Sequence, residues 1–264
     1  MKIKIKKTLF PALLIAVSLV FGGCEGDSTV ERAEDGTTTA PASAVITTED
    51  AVIHNFEPPV AGEKIIEMKI KDYGTIKIKL FPEVAALASE NFIGLTESGY
   101  YDGLFFHRVI ENFMNQGGDP RGDGTGGQSM WGGQFDGGVP EGMYHFSGAV
   151  AYANSGSTST DGSQFYIVNT AEGYNYCGGY TDANGETVVV TDIEASGLTM
   201  PANVLEKYKE VGGVPMLDGN YTVFGQVIEG LDIVRQIGSV ETNADDKPLV
   251  QVTMEDVNVV EYQG

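Results

Sequence analysis

The chain has 264 residues, 42% hydrophobic and 20% charged, enough for one or two domains with a sizeable core. Its formal net charge is -21, and without the four lysines of the first 24 residues 12 basic side chains face 37 acidic ones, a balance of -25. A surface so acidic repels phosphate backbones and excludes nucleic acid as a partner, while 35 glycines favour turn-rich β structure over a helical bundle.

Lys2, Lys4, Lys6 and Lys7 form a basic start, followed by an uncharged, mostly apolar run from Thr8 to Gly23. The run is short for a spanning helix and suits a secretory signal. It ends in VFGGC, with small residues directly before Cys24. This resembles a bacterial lipoprotein signal, in which the chain is cut before the cysteine and the cysteine is lipidated. Phe21 departs from the leucine usual there, and an ordinary signal peptide with a nearby cysteine is the alternative. The resemblance implies a signal at 1–23, an acyl anchor on Cys24 and a location outside the cytoplasm at a bacterial cell membrane. Residues 24–60 are acidic and rich in Thr and Ser, and they read as a disordered tether. If Cys24 is acylated, Cys177 is left as a lone thiol; without acylation a Cys24–Cys177 bridge is possible.

The domain is expected from 61 to 264. Ile66, Met68 and Ile70 alternate with Glu67, Lys69 and Lys71, and after Asp72-Tyr73-Gly74 the residues Ile76, Ile78 and Leu80 alternate with Lys77 and Lys79. That is a half-buried hairpin. Pro82 suits the first position of a helix carrying Val84, Leu87, Ala88 and Leu95 to a stop at Gly99. FFHRVIENFMNQGGD, Phe105 to Asp119, reads as a second hairpin and leads into the glycine-rich GGDPRGDGTGG. Short strands are predicted at Gly148–Tyr152, Gln164–Val168 and Tyr221–Val227, a helix at Leu231–Ile237, and a last strand within Leu249–Val260. PANVLEKYKEVGG puts Val204, Leu205, Tyr208 and Val211 on one helical face, with Gly212 as the stop. It lies in an insertion spanning about 171–214. Many short strands with two helices predict a mainly β fold, a closed antiparallel barrel.

Several motifs fail on inspection. GGDPRGDGTGG lacks the lysine and hydroxyl of a phosphate loop, and Asp119 and Asp123 lack the ligand set of a calcium loop. His54, His107 and His145 lie far apart in sequence, so no metal site is expected. Ser163 lacks the flanking pattern of a nucleophile elbow.

Three separated segments carry the strongest signal: FHRVIENFMNQGGD at Phe106–Asp119, AYANSGSTSTDGSQFYIV at Ala151–Val168 and LDGNYTVFGQVIEG at Leu217–Gly230. Together they resemble the signature segments of cyclophilin peptidyl-prolyl isomerases, and the likeness extends from Lys64 to about Val260 outside the insertion. It implies a closed eight-stranded antiparallel barrel capped by two α-helices, and cis-trans isomerisation of proline-containing peptide segments without a cofactor. By resemblance Arg108 is the catalytic guanidinium, and Phe113, Met114, Tyr166 and Leu217 line a proline pocket. Gln116 would help orient Arg108, Asn154 would bind peptide backbone, and Ala153 and Gln164 would complete the groove. His107 would be structural, bonding to backbone. Tyr166 replaces the usual phenylalanine, Met216 the tryptophan common before Leu217, and Tyr221 a frequent histidine; Met216 and Tyr221 frame the groove. The rival reading is a peptide-holding module with little turnover. No partner surface is legible, so a monomer is expected.

Overall fold

The computed structural model describes residues 43–181, 184 and 186–264. The signal segment, Cys24 and the start of the tether lie outside the described residues. In chain order the elements are β1 (Val45–Thr47), β2 (Lys64–Ile70), β3 (Gly74–Leu80), α1 (Ala86–Glu97), β4 (Arg108–Ile110), β5 (Met114–Gly117), β6 (Ala149–Tyr152), β7 (Phe165–Val168), β8 (Gly179–Thr181), β9 (Thr187–Val189), β10 (Thr199–Pro201), α2 (Ala202–Val211), β11 (Val223–Glu229), α3 (Leu231–Gly238) and β12 (Met254–Glu261).

The alternating hairpin forms as its pattern requires. β2 and β3 pair antiparallel with Met68 opposite Ile76 and Ile66 opposite Ile78, and all four side chains are buried. β6 and β7 show no alternation because every residue in them is buried. A strand covered on both faces reads as a continuous apolar run. Val150 and Ile167 face the main core with Phe92, Phe165 and Phe224, while Ala151, Tyr166 and Val168 face a second apolar cluster on the other side. The sheet is thus the partition between the core and the surface that carries the site.

The expected closed barrel is instead an open, curled antiparallel sheet of eight strands, in the order β12-β2-β3-β11-β6-β7-β5-β4. Its edge strands β12 and β4 do not pair. β4 has only three residues, and its outer edge is covered by a loop: the Val109 N–H donates to Asp246 O at 2.8 Å. Among the described residues the two ends of the sheet meet at a bridge between Phe105 and Thr253, flanked by bonds from Gly103 N to Met254 O, Met254 N to Leu104 O and Phe106 N to Val252 O.

Two helices pack on the sheet as predicted, α1 through Ala88, Phe92 and Leu95 and α3 through Val234 and Ile237. α1 begins at Ala86 rather than Pro82, because Phe81 is buried and its carbonyl closes a turn by accepting from the N–H groups of Val84 and Ala85. Leu87, assigned to the apolar face, is 51% exposed, and Phe92 takes its place. Gly99, at φ 71°, ends the helix as expected. No helix among the described residues is long and apolar enough to cross a membrane.

The insertion is a packed excursion with its own small core. Val204, Leu205 and Tyr208 of α2 bury against Phe146, Ile193, Met200 and Cys177. Burial pushes the Cys177 thiol up to about 12, so it stays protonated and unreactive near neutral pH. The tether reading of 24–60 needs correction from residue 43 onward. β1 pairs in parallel with β10, and the Asn203 side chain bonds both the N–H and the carbonyl of Ala51. Asn55, almost fully buried, bonds Tyr144 twice and Gln226 once. The Thr/Ser-rich composition hid three anchors, Ile53, Asn55 and Phe56, which reach distant parts of the chain.

Candidate functional site

Strand register brings the site together. Arg108 of β4 is opposite Gln116 of β5, Gln116 opposite Tyr166 of β7, Tyr166 opposite Ala151 of β6, and Ala151 opposite Val223 of β11. Directly opposite residues project from the same face, so one row across five strands runs from a cation through an amide to apolar groups. The next row, Ile110, Met114 and Val168, is apolar throughout.

Beside these rows lies the second cluster. Met114, Tyr166 and Leu217 are buried in it, and Phe113, Ala153, Met216 and Tyr221 are half-buried at its margin. All seven were named from sequence, and the fold gathers them although they span more than a hundred residues of chain. Tyr176, from the insertion, joins them with its ring 4.9 Å from that of Phe113. Phe113 sits just past a turn in which Asn112 takes φ 56°. Asn169 pins that turn, accepting the Phe113 N–H at 2.8 Å and donating to Ile110 O and Asn115 Oδ1.

The polar half is arranged differently from the expectation in one respect. Gln116 does not bond Arg108; its amide donates to Gln164 Oε1 at 3.0 Å. Gln164 in turn donates to the carbonyls of Gly124 and Gly126, both at 2.9 Å, so the amide pair locks the glycine loop to the sheet. Arg108 is held from the other side, its Nε donating to Asp246 Oδ2 at 3.3 Å. That bond occupies Nε and leaves the end of the planar fork for another acceptor. The Asp246→Ala protein should stay folded and lose about three- to tenfold in turnover, because an unbraced guanidinium is less well aimed. Steady-state kinetics with a proline peptide checks this; unchanged turnover would show that Asp246 does not position Arg108.

Asn154 follows β6, its amide donating to Asn220 O at 3.4 Å and its oxygen accepting the Gly156 N–H at 3.0 Å. His107 is buried, but neither ring nitrogen has a hydrogen-bond partner among the described residues, so the expected backbone bond is not made. Burial lowers its pKa, which keeps the ring neutral. The glycine loop is folded around Asp119, whose carboxylate accepts the N–H groups of Arg121, Asp123 and Gly124. Burial opposes ionisation there, but these backbone donors hold its pKa below the usual range.

Sequence reasoning passed over Asp161. It is fully buried, with the Thr222 hydroxyl 2.6 Å from its Oδ2. Burial pushes its carboxyl up to about 7, against the opposing pull of the Thr222 hydroxyl and the Asn154 amide. The folded state then holds a proton that the unfolded chain releases near 3.8. Its contribution to stability is therefore full below about pH 4 and is lost as pH rises to about 7. At about 1.4 kcal/mol per unit, the loss is on the order of 4 kcal/mol. Urea unfolding at pH 5 and pH 8 should show Asp161→Asn gaining on wild type as pH rises. A pH-independent difference would contradict the assignment.

The comparisons with known proteins agree with this architecture. The family model described as cyclophilin type peptidyl-prolyl cis-trans isomerase/CLD matches residues 65–259. The chain belongs to the cyclophilin-type peptidyl-prolyl cis-trans isomerase family. A protein of Staphylococcus aureus (strain COL), provisionally named a peptidyl-prolyl cis-trans isomerase, is 39% identical over 189 residues, covering 71% of this chain and 88% of that protein. A Staphylococcus epidermidis protein with the same provisional name is 39% identical over 188 residues, with the same coverage. Among solved structures, a Cryptosporidium parvum cyclophilin-type isomerase in the presence of the dipeptide Ala-Pro superimposes with a TM-score of 0.55 at 27% identity, covering 75% of this chain and 99% of that one.

Proposed function

We propose that the row around Arg108 catalyses rotation about the peptide bond before proline in segments of secreted or surface proteins, and that the enzyme works outside the cytoplasm, held to the membrane by an acylated Cys24. The observation that carries the catalytic part is the Arg108 guanidinium set beside an apolar pocket and braced by Asp246. The C. parvum relative, crystallised in the presence of Ala-Pro, supports proline peptides as substrates.

The chemistry needs no covalent step. Resonance gives the C–N bond partial double-bond character and a barrier of about 18–20 kcal/mol. In the twisted transition state the proline nitrogen is pyramidal and regains a lone pair. A fixed N–H donor aimed at it interacts more strongly there than in the ground state, which is what lowers a barrier. Arginine supplies that donor without changing protonation. Phe113, Met114, Tyr166 and Leu217 grip the proline ring, Met216 and Tyr221 frame the rim, and Asn154 with the Gln116–Gln164 pair holds the peptide backbone.

The anchor rests on the basic start, the apolar run and the small residues before Cys24. Mass spectrometry of the mature N-terminus tests it. An acylated Cys24 is the expected result, with Cys24→Ser giving an unprocessed, unacylated precursor. An unmodified wild-type N-terminus well beyond Cys24 would contradict the anchor and leave the catalytic proposal standing.

A further inference from the structure

Tyr166 is a buried wall of the apolar cluster, and its hydroxyl is taken up by a histidine. It lies 2.9 Å from His145 Nε2. His145 Nδ1 lies 2.8 Å from Asp218 Oδ1, and the same oxygen accepts the His145 backbone N–H at 2.9 Å. The other carboxylate oxygen accepts the Tyr208 hydroxyl at 2.7 Å. A carboxylate only accepts, so Nδ1 carries the hydrogen; in the neutral ring Nε2 then accepts from the Tyr166 O–H. The chain of bonds runs Tyr166 to His145 to Asp218, and Tyr208 closes it from the far side. His145 and Tyr208 are fully buried. Tyr208 belongs to α2, inside the insertion, whereas Asp218 directly follows Leu217, another wall of the pocket.

We propose that His145 and Asp218 are positioning residues: through the chain Tyr166–His145–Asp218–Tyr208 the insertion fixes two walls of the proline pocket and so sets how tightly a proline-containing peptide is held. This rests on the assignment of the pocket made above. Bonds to a charged acceptor are strong and geometrically selective, and the His145 and Tyr208 donors of this one are fully buried. Walls that grip the ring equally in the ground and twisted states change affinity rather than turnover.

The test is Tyr208→Phe, which removes one hydroxyl, lies outside the pocket and retains the ring packed 4.4 Å from Phe146. NMR titration with an Ala-Pro-containing peptide should give a Kd about three- to tenfold weaker, with KM raised by the same factor and kcat within about twofold. Tyr166→Phe should weaken Kd similarly, and the double variant should be no worse than the weaker single one, since both break one chain. A role in stability alone would lower the unfolding temperature and leave Kd and KM unmoved. Unchanged affinity in the folded single variants, or strictly additive losses, would overturn the proposal alone. Failure of wild type to bind the peptide would overturn the pocket assignment and the proposal with it.

Discussion

Arg108→Ala should lose at least about a hundredfold in isomerase turnover, some 2.7 kcal/mol of transition-state stabilisation, while the protein remains folded. The side chain is about a third exposed and, among the described residues, makes one hydrogen bond, to Asp246, whereas β4 itself is held through backbone register. Its removal therefore leaves the apolar cluster intact. A donor that gains strength only as the proline nitrogen pyramidalises should affect kcat far more than peptide affinity. Arg108→Lys should rescue poorly, because an ammonium cannot bond Asp246 through one edge and present a planar fork through the other. Isomer-exchange kinetics, with circular dichroism on each variant, checks both. Near-wild-type turnover in a folded Arg108→Ala protein would show that Arg108 is not the catalytic group.

Phe92→Ala should have the largest effect on stability. Phe92 is fully buried where α1 meets the sheet, with its ring 4.8 Å from Tyr101 and 5.2 Å from both Phe165 and Phe224. Truncation removes the transfer energy of the ring and leaves a cavity that three rigid aromatic neighbours cannot collapse into. The expected loss is about 3–5 kcal/mol, which for a domain of this size lowers Tm by roughly 6–20 °C. Calorimetry decides; a loss below about 1 kcal/mol would mean that the aromatic cluster repacks.

Much of this was legible in sequence, and for physical reasons. β2 and β3 bury one face, so their period of two shows, and α2 buries one stripe, so its helical period shows. The residues of the pocket were legible because a recurring chemistry fixes several residue types at once in three segments. Sheet closure was not legible. Whether two edge strands meet depends on the length of β4 and on the loop that covers it, and neither leaves a local pattern. The braces of the site were missed for the same reason. Asp246 lies 138 residues from Arg108, and Asp218 lies 73 residues from His145. A lone aspartate carries no signal until the fold supplies its partner. Gln116 was paired with Arg108 by likeness, and register does put them opposite each other, but its amide turns to Gln164 instead.

The most direct test of the central claim is two-dimensional exchange NMR on an Ala-Pro-containing peptide with catalytic amounts of the protein. Unaided, the cis and trans forms interconvert over roughly tens to hundreds of seconds. The site described here predicts exchange cross-peaks on a sub-second timescale with wild type and their near disappearance with Arg108→Ala. Peptide shifts that report binding to wild type without any acceleration of exchange would contradict it.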